Sequence, residues 1–202
     1  MVRVSKSPEI RKQELIDIAL SLFIKEGYEA VSVRDILKVA KGQPGMFYYY
    51  FASKQEIYKE AMHQLIQKEL EIRTKIISNK SIPVLVRTKE LIGEIQESII
   101  NSYKAFSDVE SFAYQTAVSL ELLTAMAKPV SELIMELYND GIIPAESNLT
   151  EQKSYSMALF CIHGSYGVVH ANKLDGSSIL DNQQFLMPFI TKLLGISEGL
   201  LD

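Results

Sequence analysis

Three consecutive phenols stand among phenylalanines in the stretch Pro44-Gly45-Met46-Phe47-Tyr48-Tyr49-Tyr50-Phe51. On a helix Phe47 and Phe51 share one face. Tyr48, Tyr49 and Tyr50 then project along others, since three successive residues cannot all point at one core. An exposed phenol offers a hydroxyl that donates to a phosphate oxygen and a ring that packs on a sugar or a thymine methyl. Gly45 keeps the start of such a helix slim enough for close backbone approach. Lys54, a few residues on, adds a positive charge near the start of the next helix, where backbone N–H groups already favour an anion. The chemistry suggested is recognition of a polyanion rather than the making or breaking of bonds.

The other reactive groups fall into no catalytic pattern. Gly164-Ser165-Tyr166-Gly167 has the wrong spacing for a nucleophile elbow, and neither a phosphate-binding glycine loop nor His-Glu-x-x-His occurs. Cys161, the single cysteine, sits in an apolar run with no evident base. His163 and His170 are seven residues apart with no acidic partner, a weak spacing for a metal. No enzyme, cofactor or metal site is expected.

The chain's 202 residues, 47% of them hydrophobic, suffice for a sizeable core and exclude a disordered chain. The formal net charge of −4 taken alone argues against a nucleic-acid partner, but charge is unevenly placed. Up to Lys54 nine Lys/Arg face six Asp/Glu, a net of +3, and the remainder carries −7. The polar start, the lack of a long uncharged apolar run and the single cysteine lead us to expect a cytoplasmic protein with no membrane contact.

These groups must be positioned by helices. Ser7-Pro8 reads as a start, Leu15, Ile18, Ala19, Leu22 and Phe23 as one apolar stripe, and Gly27 as a stop. Ser32 with Asp35 forms a capping box for a short helix to Ala40. The turn Lys41-Gly42-Gln43-Pro44 leads to a second short helix ending at Phe51, and Ser53 with Glu56 opens a long one to about Ser78. Further starts are read at Ser81-Ile82-Pro83, Ser107 with Glu110, Thr150, and Asp181 with Gln184. Pro129 kinks or divides its helix, and Gly141 ends the segment. The expected fold is all-α, roughly nine helices, with no strand alternation. An N-terminal three-helix helix-turn-helix domain is expected over residues 1–53, and a C-terminal helical domain, to which the resemblance described next gives ligand binding and dimerisation, over residues 54–202. In a helix-turn-helix, the second short helix enters the major groove. One domain makes too few contacts for a specific site, so two copies on a two-fold axis are expected.

Val31-Ser32-Val33-Arg34-Asp35-Ile36 and Gly45-Met46-Phe47-Tyr48-Tyr49-Tyr50-Phe51-Ala52-Ser53-Lys54 resemble the DNA-binding domain of the TetR/AcrR family. The family's usual pattern there is T-[TS]-V-R-D-I-A, then G-T-L-Y-x-[HY]-F-x-[SN]-K. The resemblance covers about Glu9 to Ala61. It implies a transcriptional regulator, usually a repressor, that binds a palindromic operator in double-stranded DNA as a homodimer and is released by a small-molecule effector. Residue by residue, Ser32 and Arg34 match phosphate contacts, with Arg34 sometimes touching a base. Gln43, Pro44, Gly45 and Met46 match the variable start of the recognition helix. Tyr48 and Tyr50 match phosphate or sugar contacts, Tyr49 a base or phosphate contact, and Lys54 a phosphate contact. The chain departs from the pattern at Gly42, where Val is usual, so that the turn lacks its hydrophobic plug. It departs also at Lys41, where Gly is usual, at Tyr50 in place of His, and at Gln43 and Pro44.

Met157 to Val169 is too apolar for a helix with one wet face, and the last helix is similarly apolar. The resemblance implies that both build a four-helix dimer interface, with Phe160, Gly164, Gly167, Val168, Phe185, Phe189, Ile190 and Leu193 as candidates. Tyr103, Phe106, Phe112, Tyr114, Gln115, Met126, Met135, Tyr138 and His163 are the candidates for a site taking a small, largely apolar effector. Control by a protein partner, with a solid core in place of a cavity, is the alternative, and a helical enzyme is another.

Overall fold

The computed structural model describes residues 7–102, 109–175, 188–197 and 199–201, and the side chains of residues 99–119 and 168–187 lie outside that description. Among the described residues the chain is all-helical. It runs through α1 (Pro8–Glu26), α2 (Val33–Ala40), α3 (Pro44–Tyr50), α4 (Lys54–Ser78), α5 (Val84–Ser102), α6 (Val109–Asn139), a 3-10 turn (Ala145–Ser147) and α7 (Glu151–Asp175). A further helical stretch covers residues 188–194. Two compact units result. One holds α1 to α3 and α4 up to Glu69, with α5 from Gln96 and α6 to Ser119. The other holds α4 from Leu70, α5 to Ile95, α6 from Leu120, and α7.

Local signals set the first three helices. Ser7 Oγ accepts from the N–H of Ile10, Pro8 fills the first helical position, and Gly27 at φ +88° stops α1 with its N–H on the Phe23 carbonyl. At α2 the Asp35 N–H donates to Ser32 Oγ (3.2 Å), and the Ser32 N–H and hydroxyl both donate to the Asp35 carboxylate. Those bonds from Ser32 hold the Asp35 carboxyl below its ordinary range. Ser53 Oγ caps α4 through the Glu56 N–H (3.2 Å), but Glu56 reaches back to the Ala52 N–H and not to that of Ser53. The core of this unit is built on Leu15, Ala19, Phe23, Ile36, Phe47, Phe51, Ile57 and Tyr58. Ile16 joins it, while Ile18 and Leu22 are only half-buried, so the buried stripe of α1 is rotated by about one residue from the expected one.

In the second unit, Pro129 lies inside one unbroken α6. A proline deprives the carbonyl four residues back, that of Ala125, of its helical N–H donor and clashes with it, but the helix continues on both sides. Of the two outcomes expected at Pro129, a kink or a division, the helix is not divided. The caps expected at Ser107 and at Asp181 fall outside the described residues. Arg87, 3% exposed, is the polar centre of this unit. Its guanidinium donates to the carbonyls of Ile77 and Ile82 and to the Glu136 carboxylate, which Lys80 also reaches. Arg73 pairs with Glu94 at 2.7 Å. Two buried hydroxyls join α6 to α7: Ser154 Oγ donates to the Ser131 carbonyl (2.6 Å), and Ser131 Oγ donates to Ser154 Oγ (3.1 Å).

Candidate nucleic-acid interface

α3 is held by its apolar face. Phe47 and Phe51 are essentially fully buried, with ring centroids 5.6 Å apart. That anchoring turns Tyr48 and Tyr49 outward, at 60% and 74% exposure. Tyr50 is half-buried against the core, its ring edge-on to that of Tyr49 at 4.7 Å. Two of the three phenols thus stand free to meet a surface, and the third supports them.

Gln43 precedes the helix with an exposed side chain that does not cap it, and Pro44 is exposed at the first position. A Cβ on Gly45 would meet no atom within 4 Å, so the helix start opens onto free space there. Met46 is placed differently. It is half-buried and packed on the core, its methyl lying where a Gly42 side chain would be. The hydrophobic plug that the turn lacks at position 42 is supplied from α3.

On α2, Arg34 is exposed, whereas the Ser32 hydroxyl is engaged in the capping box. Lys38 and Lys41 are exposed on α2 and in the turn before α3. Both count toward the basic excess up to Lys54, and Lys41 also departs from the family pattern in the turn. Lys41 closes α2 in the left-handed conformation (φ +50°, ψ +41°). Lys54 is half-buried: its Nζ donates to the Tyr28 carbonyl (2.7 Å) and lies 4.0 Å from the centroid of the Tyr28 ring.

The residues expected around an effector are scattered in the description. Tyr103 and Phe106 lie outside the described residues, as do the side chains of Phe112, Tyr114 and Gln115. Met126 is buried, Met135 and Tyr138 are half-buried, and the Tyr138 hydroxyl donates to the Ala145 carbonyl (3.4 Å). His163 lies on α7. It is exposed, on the face of α7 that also carries Phe160, Gly164 and Gly167, because positions 160, 163, 164 and 167 fall on one side of a helix. Ser154 and Ala158 face inward, and burial pushes the Cys161 thiol up to about 11.

Of the expected dimer residues, Phe160 is 59% and Phe189 56% exposed, and Gly164 and Gly167 open onto space. Ile190 and Leu193 are half-buried, and Phe185 and the Val168 side chain lie outside the described residues. Among the described residues no helix is long and apolar enough to cross a membrane.

Comparison with known proteins agrees with this geometry. Residues 15–61 match the family model described as bacterial regulatory proteins, tetR family. The chain is 30% identical over 159 residues to the biofilm operon icaADBC HTH-type negative transcriptional regulator IcaR of Staphylococcus aureus, covering 77% of this chain and 82% of that one. It is 25% identical over 173 residues to the HTH-type transcriptional regulator QacR of the same species, covering 81% and 88%. A transcriptional regulator from Cytophaga hutchinsonii has the same fold, with a TM-score of 0.71 at 15% identity over 91% of this chain and 94% of that one. The exposed phenols on a buried aromatic anchor therefore belong to the helix-turn-helix of a DNA-binding transcriptional regulator, and the chain is a member of the tetR family of bacterial regulatory proteins.

Proposed function

We propose that the protein is a homodimeric repressor that reads a palindromic operator through α3 and is released from it by a small, largely apolar effector. Residues 1–53 read DNA and residues 54–202 bind the effector and dimerise, in the cytoplasm. The observation that carries the reading of DNA is the pair Tyr48 and Tyr49, exposed on a helix whose opposite face is buried through Phe47 and Phe51. Arg34 and Lys41 supply exposed charge on α2 and in the turn, Gln43 a polar group at the start of α3, and Lys54 an ammonium with N–H donors beyond the one spent on Tyr28.

Dimerisation is supported by Phe160 and Phe189, two large apolar side chains that a lone chain leaves in water. Gly164 and Gly167 beside Phe160 allow close approach of a second helix. A two-fold dimer presents two copies of α3 and so reads an inverted repeat. Repression is the mode printed for the negative regulator IcaR. Release requires an effector that binds better to one spacing of the two reading helices than to the other, since equal affinity shifts nothing.

Selection from a random-sequence duplex pool tests the reading, with sedimentation of the same protein. The expected result is a dimer that enriches an inverted repeat, and a Phe160→Glu variant that sediments as a monomer and loses that affinity. A monomeric wild type, or enrichment of a site without two-fold symmetry, overturns it.

A further inference from the structure

Positions 42 and 46 compete for one space. The Gly42 N–H donates to the Leu37 carbonyl at 2.9 Å, and its φ lies outside the left-handed region, so the backbone does not demand a glycine there. The surroundings do. A Cβ on Gly42 would fall 2.1 Å from Met46 Cε, 3.2 Å from Met46 Sδ and 3.0 Å from Leu37 Cδ2. Met46 sends its thioether back from the first turn of α3 into that room, which Leu37 of α2, itself 7% exposed, also borders. The room is bordered by side chains of both helices of the motif at the point where α3 begins.

We propose that Met46 is a positioning residue, which seats the start of α3 against α2 in the room left by Gly42 and sets operator affinity through that seating without touching a base. This rests on the reading of α3 as the DNA-reading helix. Because the Met46 methyl is the far end of a flexible side chain, a side chain at position 42 evicts it instead of unfolding the domain. Gly42→Val and Met46→Ala then compensate: the first overfills the space, the second empties it, and together they fill it again.

The test is a double-mutant cycle in the full chain, using the duplex that the wild type enriches from a random-sequence pool. Thermal midpoints without DNA are measured alongside, and Met46→Leu and Tyr49→Ala are included. Each of Gly42→Val and Met46→Ala is expected to weaken binding several-fold and to lower the midpoint. The double variant should bind at least about threefold better than the product of the single effects. Met46→Leu should restore binding, and Met46→Ala should enrich the same bases as the wild type. Should Gly42→Val fail to fold, Gly42→Ala carries the same cycle.

Additive effects overturn the proposal, as does a Met46→Ala variant that loses preference at one base pair with an unchanged midpoint. Coupled midpoints with uncoupled affinities, while Tyr49→Ala still weakens binding, overturn the positioning role alone. If every variant including Tyr49→Ala binds the duplex like the wild type, α3 is not the reading helix and the proposed function falls with the positioning role.

Discussion

Lys54, at the first position of α4, donates to the carbonyl of Tyr28, twenty-six residues earlier, and lies over the ring of the same residue. Tyr28 in turn packs edge-on against Tyr58 at 4.6 Å, and both contact Phe23. A single ammonium therefore ties the α1–α2 connection to the start of α4. Lys54→Met removes the charge-assisted hydrogen bond and the cation–π contact and keeps much of the apolar stem. It should cost about 1 kcal/mol of stability, after discounting for partial exposure, in a melt without DNA.

The two outward phenols should separate affinity from stability. Tyr48→Ala and Tyr49→Ala are expected to weaken operator binding by about 1–3 kcal/mol each while hardly moving the thermal midpoint. Phe47→Ala should do the reverse, destabilising the domain by about 3–5 kcal/mol through the cavity it leaves. Mobility shifts and melts on the same samples check both.

Lys41 occupies a conformation that costs an L-residue about 1 kcal/mol and a glycine nothing. Lys41→Gly should raise unfolding stability by roughly half to one kcal/mol, part of the relief being offset by the freer unfolded chain. Urea titration reads this directly. A lower stability would show that the lysine side chain does more than its backbone costs.

The Glu136 carboxylate gives the second unit an acid limit. Burial raises its pKa, but hydrogen bonds from Lys80 and Arg87 outweigh that effect and hold it below the ordinary value of 4.5. A carboxyl depressed on folding contributes stability that is fully present above its unfolded pKa and is lost as pH falls through the folded one. Stability should therefore fall on acidification below 4.5, and Glu136→Gln should remove that part of the slope. At neutral pH the same substitution leaves Arg87 without its counter-charge and should cost about 3 kcal/mol. Urea melts across the acid range measure both.

Cys161, with its thiol raised to about 11, should resist alkylation at pH 8 in the folded protein, where about one thiol in a thousand is ionised. Rapid labelling should appear only once urea unfolds the second unit. Fast labelling of the native chain would contradict the burial.

The helix starts at Ser7-Pro8 and Ser32, the stop at Gly27 and the buried pair Phe47 and Phe51 were legible in the sequence, because each depends on neighbours within one or two turns. Contacts between distant elements were not. Nothing local announces that Lys54 will find Tyr28, that Arg87 will be buried among carbonyls, or that Met46 will fold back into the turn. The exposure of His163 follows from which side of α7 packs inward, and tertiary packing decides that. That α6 runs on through Pro129 is settled in the same way: residues on both sides of the proline, such as Met126 and Leu133, are buried. The outward positions of α3 were easier to read than the lining of any pocket, since the exposed side of one short helix is written in consecutive residues. A pocket gathers its lining from several.

The shared space between Gly42 and Met46 also couples how this sequence can change at the two positions. A side chain introduced first at position 42 meets an occupied site, whereas a smaller residue introduced first at position 46 leaves a void that a later change at 42 can fill. Sequence drift toward a bulkier turn therefore calls for change at both positions, each first step leaving the space either overfilled or empty until the second.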